Sequence, residues 1–254
     1  MIYESIEKLH QMKIHTMAVA FKEQLDQPNL SSLSFEQRFA MIVDREWAAR
    51  ESKKLHKRLK KAHFRQQASV EDIDFVSPRG LDRSVILSLA NCQWIRNHQN
   101  VIIVGKTGVG KTYIGEALGN KACREGLEVI RYRATDLFQE LIAAKGDGSY
   151  RKLRKAIAKA DLLIVDDFVI LPMAEDEKRE FLEIMEDRHD LRATLLTSQL
   201  PVSAWHTQIG DPTIADAILD RIVHNAHRIN LTGEDSMRRK RATLFDPEPG
   251  ANLK

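Results

Sequence analysis

Apolar positions recur every three or four residues through the first quarter of the chain. Beyond residue 100 they gather into short continuous runs separated by helical stretches. Ile2, Ile6, Leu9, Ile14, Met17, Phe21 and Leu25 predict one amphipathic helix, broken at Gln27-Pro28-Asn29. Ser34 and Gln37 have capping-box spacing and open a second helix on Phe35, Phe39, Ile42 and Trp47, continuing to about residue 65. Ser69 to Asp74 reads as a capped turn and Ser77-Pro78-Arg79-Gly80 as a linker, after which Asp82 caps a helix on Val85, Ile86, Leu89 and Ala90.

From residue 100 the pattern alternates between strand and helix. Asn100–Val104 is an apolar β-branched run, and Tyr113–Glu125 has helical spacing closed by Gly126. Glu128–Arg133 is a second strand, followed by a helix capped by Thr135 and carrying Leu137, Phe138, Leu141 and Ile142. Gly146-Asp147-Gly148 is a turn, and Tyr150–Lys159 is a helix. Leu162–Asp167 is a third strand, and residues 175–190 form an acidic helix with Phe181, Leu182, Ile184 and Met185 inward. Thr194–Gln199 is a fourth strand, Asp216–Val223 a short helix, and His227–Leu231 a fifth strand. A basic helix begins at Ser236, and residues 244–254 read as a disordered tail. The resulting segmentation is a helical domain over 1–68, a linker over 69–81 and an α/β domain over 82–243.

Composition changes this picture little. A 43% hydrophobic and 30% charged chain of 254 residues fits one substantial core with a smaller appendage. Cys92 and Cys123 lack metal or disulfide spacing, and no apolar run approaches a membrane span. With no signal-peptide core at Met1–Lys8, the expected location is cytoplasmic. The net charge of +3 is unevenly spread, since residues 1–70 hold thirteen Lys/Arg against eight Asp/Glu.

Two stretches carry chemistry. Gly105-Lys106-Thr107-Gly108-Val109-Gly110-Lys111-Thr112 satisfies G-x-x-x-x-G-K-[ST] between a strand and a helix. Glycines allow the backbone N–H groups to wrap a phosphate chain at a helix N-terminus. Lys111 is then placed to reach the β- and γ-phosphates and the Thr112 hydroxyl to bind Mg²⁺, so ATP and Mg²⁺ are the expected cofactors. Leu162–Asp167 is a buried strand ending in two acids. Asp166 is expected beside the metal through its water shell, and Asp167 to orient or deprotonate the attacking water.

A third stretch points to a polyanion. Lys53, Lys54, Lys57, Arg58, Lys60, Lys61 and Arg65 form a run of seven cations with no intervening acid. It is expected to contact duplex DNA, with His56 and His63 as further polar positions on that face rather than metal ligands. Arg151, Lys152, Arg154, Lys155 and Lys159 make a second basic helix, for which DNA contact and a solvated face stay open.

The P-loop, the apolar strand ending in Asp-Asp and the later strand ending in Thr-Ser-Gln together resemble the AAA+ ATPases of the helicase-loader branch. Six further segments make the chain more closely similar to the IstB transposition helpers of bacterial insertion sequences. These are Ile42–Trp47, Arg79–Arg83, Gly146–Tyr150, Glu186–His189, Thr197–Val202 and Asp220–Ile229, in family order along nearly the whole chain. The resemblance implies a three-layer AAA+ core with a five-stranded parallel sheet behind a small all-α domain. It also implies ATP-dependent assembly of homo-oligomers on double-stranded DNA, working with a transposase encoded by the same element. Gln199 matches the sensor position, Arg221 the arginine finger for a neighbouring subunit's γ-phosphate, and Arg238 loosely a second sensor. Most AAA+ motors carry Asp-Glu where this chain has Asp166-Asp167, which implies slow hydrolysis suited to a switch. A replicative helicase loader, or an ATP-bound DNA-coating protein that does not hydrolyse, are the alternatives.

Overall fold

The computed structural model describes residues 2–27, 32–233 and 236–237. The basic helix expected from Ser236 to Arg241, Arg238 within it and the tail from residue 244 lie outside those residues or at their edge. The chain divides into two compact units, Met1–Lys57 and Arg58–Lys254.

In the first unit the single helix expected over 2–25 is two helices, α1 (Ile2–Gln11) and α2 (His15–Leu25). Lys13 adopts φ 60, the Ile14 N–H reaches back to Leu9 O and the Lys13 N–H to His10 O. That is a Schellman C-cap built without the glycine that would have announced it. Ala18 and Ala20 of α2 are buried. Helix α3 (Phe35–Ala62) opens with the expected capping box, Ser34 N–H to Gln37 Oε1 at 3.0 Å and Gln37 N–H to Ser34 Oγ at 3.3 Å. Glu46, 8% exposed, accepts from the Met17 N–H at 2.9 Å and from Arg50 Nε at 2.6 Å, joining α2 to α3. Of the apolar positions expected to be inward, Ile42 is buried, whereas Phe35, Phe39 and Trp47 are exposed.

In the second unit the short helices α4 (Arg83–Leu89) and α5 (Gln93–Arg96) lead to β1 (Asn100–Gly105). The Asp82 side chain caps α4 through the Ser84 N–H at 2.7 Å, as its position predicts. Helix α6 (Lys111–Arg124), β2 (Val129–Arg133), α7 (Ala134–Asp147), α8 (Tyr150–Lys159), β3 (Leu162–Asp166) and α9 (Glu175–Arg188) follow. They are succeeded by β4 (Ala193–Ser198), α10 (Trp205–Ile209), α11 (Pro212–Val223) and β5 (Ala226–Leu231). All strand pairs are parallel, in the order β2-β3-β4-β1-β5. Helix α7 begins one residue before Thr135, directly after Arg133, so Thr135 sits in its first turn and caps nothing. Asp211 caps α11 with Pro212 at its first position, four residues earlier than the apolar pattern suggests.

The sheet core is packed on one face by Phe138, Phe168, Phe181 and Trp205, whose rings lie 4.7–6.2 Å apart in successive pairs. On the other face Gly115 and Gly119 let α6 approach Ile164 and Leu195 closely; a Cβ on Gly119 would stand 2.7 Å from Ile164 and 2.9 Å from the Phe64 ring. Arg188 is buried among carbonyls, donating to Ile157 O at 2.6 Å and Ala160 O at 2.9 Å, and burial lowers its pKa to about 9. Cys92 and Cys123 are buried free thiols, and burial pushes Cys123 up to about 12. No described helix is long and apolar enough to cross a membrane.

The segment read as a linker packs on this unit. Ala68, Val70 and Ile73 are buried, and Arg79 is 4% exposed, donating to Val109 O and Asp74 O, both at 2.7 Å. The division between units falls instead after Lys57, inside α3. Residues 58–66 belong to the second unit because their side chains and backbone bond to α6 and its surroundings.

Candidate nucleotide and metal site

The candidate site lies at the carboxyl ends of β1, β3 and β4, where the loops of a parallel sheet open. Strand β1 delivers the chain into the loop at Gly105, where a Cβ would come within 2.5 Å of Leu231 O. Gly110, at φ 100, forms the entry to α6, and a Cβ there would collide with the Arg79 guanidinium. Gly105, Lys106, Thr107, Gly108, Val109 and Gly110 thus make a loop whose last residues run into a helix N-terminus, the geometry that turns backbone N–H groups toward an anion. Lys111 is only 5% exposed and its Nζ donates to Lys106 O at 3.0 Å, so the amine lies folded over the loop's own backbone.

The expected partners of the loop converge on it. Thr112 Oγ1 donates to Asp166 Oδ1 at 2.9 Å and Oδ2 at 3.1 Å. Asp166 is 2% exposed, at the end of β3. A hydroxyl and a carboxylate are hard oxygen donors, and one carboxylate beside phosphate oxygens is how proteins commonly hold Mg²⁺, so this pair fits that ion. Thr107 Oγ1 donates to Gln199 Oε1 at 2.7 Å, which brings the expected sensor against the middle of the P-loop. Asp167 follows in a left-handed conformation, φ 60, with its Oδ2 3.2 Å from Arg133 Nε.

Arg221 does not join this group. It lies near the end of α11, and its carbonyl accepts from Asn100 Nδ2 at 3.2 Å, at the opposite end of β1 from the P-loop. Its guanidinium donates to Ala217 O at 2.7 Å and to Glu186 Oε1 at 3.1 Å.

Sequence reasoning missed the residues behind the acids. Thr197 Oγ1 donates to Asp166 Oδ1 at 2.6 Å and accepts from the Asp167 N–H at 3.1 Å, so one hydroxyl of β4 sets both acids. Arg131 Nη2 donates to Asp166 Oδ2 at 2.5 Å. The Thr-Ser-Gln strand end was a signal for Thr197; an arginine in the middle of a strand, flanked by Ile130 and Tyr132, was the signal for Arg131.

The basic run is less open than its composition suggests. Lys61 pairs with Glu128 at 2.7 Å, Arg65 with Asp136 at 3.3 Å and Lys54 with Glu51 at 2.8 Å, while Arg58 donates to Cys123 O at 3.4 Å. A run with no intervening acid is thus partly paired in space, by Glu51 just ahead of it and by Glu128 and Asp136 distant in sequence. Lys53, Lys57 and Lys60 are exposed. On α8, Arg154 pairs with Glu183 and Asp187, while Arg151, Lys152, Lys155 and Lys159 are exposed.

The IstB-like ATP binding protein family matches residues 7–244. A Sinorhizobium fredii protein that carries the name insertion sequence ATP-binding protein is 45% identical over 239 residues, covering 94% of this chain and 98% of that one. An insertion sequence IS21 ATP-binding protein of Pseudomonas aeruginosa is 30% identical over 226 residues, 89% of this chain and 85% of its own length. Among solved structures, the DnaC helicase loader aligns with a TM-score of 0.53 at 17% identity, over 65% of this chain and 96% of its own. DnaI aligns at 0.56 and 22%, over 67% and 90%. Those structures share the fold alone, a parallel sheet flanked by helices, whereas the family model matches residues 7–244 and the two relatives cover 94% and 89% of the chain: it belongs to the IstB-like ATP-binding proteins of insertion sequences.

Proposed function

We propose that this protein is a DNA-binding helper ATPase that assembles side by side on duplex DNA and recruits or activates the transposase of its insertion sequence. The observation that carries this reading is a P-loop whose Thr112 hydroxyl bonds Asp166 at the end of the acid-tipped strand β3, in a chain 45% identical along 94% of its length to an insertion sequence ATP-binding protein. In this reading residues 105–111 hold the phosphates of ATP, and Thr112 and Asp166 hold Mg²⁺. The ion, when bound, neutralises charge on the phosphate oxygens.

Hydrolysis adds water at the γ-phosphorus and expels ADP. Asp167 orients that water and takes its proton, Gln199 touches the γ-phosphate or the water, and Arg221 of a neighbouring subunit donates to the transition-state oxygens. Release of the γ-phosphate removes the Arg221 contact and loosens the assembly. Lys53, Lys54, Lys57, Arg58, Lys60, Lys61 and Arg65 supply phosphate contacts, which multiply along a row of subunits. Exposed ion pairs such as Lys61–Glu128 are weak enough to be exchanged for DNA phosphates.

The experiment measures phosphate release and sedimentation of the full chain with ATP, with and without duplex DNA, and capture of the transposase from the same element. Stimulated release, growth in size and capture support the reading. Capture of a replicative helicase instead would make the protein a loader, and growth on DNA without any phosphate release would make it a coating protein.

A further inference from the structure

Behind the metal-side acid stands a line of three buried charges. Asp166 is 2% exposed, Arg131 4% and Glu116 1%. Arg131 lies on β2 in register with Ile164 of β3, two residues short of the Asp166 position. Its Nη2 donates to Asp166 Oδ2 at 2.5 Å and its Nε is 3.3 Å from Glu116 Oε1. Glu116, on the P-loop helix α6, accepts from two further donors: the backbone N–H of Arg65 at 3.1 Å on Oε1 and that of Gln66 at 3.2 Å on Oε2. Arg65 and Gln66 are the residues at which the chain leaves the basic run.

Stability does not account for this arrangement, because apolar residues of the same volume commonly hold such a position at least as well as a buried charge triad. What the triad does is geometric. Thr112 donates to both Asp166 oxygens, Thr197 takes Oδ1 and Arg131 takes Oδ2, so the plane of the carboxylate is fixed from three sides. Groups that orient a metal-side ligand in this way are as consequential as the ligand itself. The same guanidinium also meets Glu116, and Glu116 holds residues 65–66, so a change in the Asp166 carboxylate reaches that backbone through two side chains.

We propose that Arg131 is a positioning residue for Asp166, and that the Arg131–Glu116 bridge couples the metal end of the ATP site to the backbone at residues 65–66. The inference rests on the reading of Asp166 as the metal-side acid. It goes beyond that reading by giving the site a built connection to the basic run.

The test uses the full chain with a non-hydrolysable ATP analogue. Mn²⁺ binding is followed by electron paramagnetic resonance, and hydrogen exchange is followed at the amides of 65 and 66. Arg131→Met should weaken Mn²⁺ binding by about 10- to 100-fold while nucleotide affinity in excess chelator stays as in the wild type. Arg131→Lys should recover part of the loss. Metal plus nucleotide should change exchange at 65–66 in the wild type, and Glu116→Gln should remove that response. Should Arg131→Met not fold, the double variant Arg131→Met with Glu116→Gln, which removes the unpaired buried carboxylate, carries the same expectation for metal. Asp166→Asn is the reference. If it weakens Mn²⁺ binding and the folded Arg131 variants do not, or if wild-type exchange at 65–66 ignores the metal, the inference is overturned while the reading of Asp166 stands. If Asp166→Asn itself binds Mn²⁺ as the wild type does, both are overturned.

Discussion

Arg133 Nε stands 3.2 Å from Asp167 Oδ2, so the acid expected to handle the attacking water is held by a cation at the end of the neighbouring strand. Both side chains are partly exposed, 41% and 24%, which leaves the pair free to open when phosphates arrive. Asp167 itself adds nothing to the Thr112–Asp166 bond that would meet the metal.

Asp167→Asn should therefore retain ATP and Mg²⁺ while turnover falls by about 10²-fold or more, the usual scale for losing a general base. Its ATP-driven assemblies on DNA should outlast those of the wild type. The check is nucleotide affinity and phosphate release measured on the same preparation. A loss of affinity would make Asp167 a metal-site residue instead.

Lys111→Ala addresses the other half of the site. Lys111 is buried against the loop rather than free in solvent, with its Nζ on Lys106 O. The variant should lose hydrolysis and bind ATP more weakly, since the only lysine of the P-loop motif placed at the helix start is gone. Far-ultraviolet circular dichroism should be unchanged, because the helix and sheet hydrogen bonds are made by backbone groups that the substitution leaves in place. Undiminished turnover in the purified variant would sink the assignment.

Several parts of the fold and of this site were legible in the sequence because each depends on neighbours close along the chain. The P-loop needs its own glycines, the strand Leu162–Asp166 its own apolar run, and the α3 entry only Ser34 and Gln37. The parts that were not legible depend on strand order. Thr197 reaches Asp166 because β4 lies beside β3, and Arg131 reaches it because β2 lies on the other side. Periodicity reports which face a residue occupies but not which strand comes next. The break at Lys13 was hidden for another reason: a lysine took the left-handed position where a glycine would have been the signal.

Two of the acids that meet the basic run come from far along the chain, and they redirect the DNA prediction. Lys61 and Arg65 are engaged with Glu128 and Asp136, whereas Lys53, Lys57 and Lys60 are exposed. Each phosphate contact contributes about −0.9 to the slope of log K against log salt, so replacing Lys53, Lys57 and Lys60 by glutamate should flatten that slope by roughly 2 to 3 units per subunit. Affinity should fall alike on all sequences, as it does for contacts that touch only the backbone. An unchanged slope would make this a solvated helix face and move the DNA contact to Arg151, Lys152, Lys155 and Lys159.

The last prediction concerns assembly. The Arg221 carbonyl is tied to Asn100 at the start of β1, and the P-loop begins where β1 ends, at Gly105. Five steps of a parallel strand span about 17 Å, farther than an arginine side chain extends. Arg221 is therefore expected to serve a neighbour's nucleotide and not its own. In the single chain it is paired with Glu186 at 3.1 Å, a partly exposed contact of the kind that contributes little, so a neighbour's phosphate can displace the carboxylate at small cost. A guanidinium delivered in trans to a γ-phosphate can be worth roughly 10³ to 10⁵ in rate. Turnover per subunit should rise with protein concentration and with DNA, which lines subunits up. Arg221→Ala should bind ATP but lose both the stimulation and the ATP-dependent growth in size. Mixed with Lys111→Ala it should partly recover, because one subunit then offers an intact loop and the other an intact finger. Turnover that is flat across concentration, together with a mixture that stays inactive, would rule the shared site out.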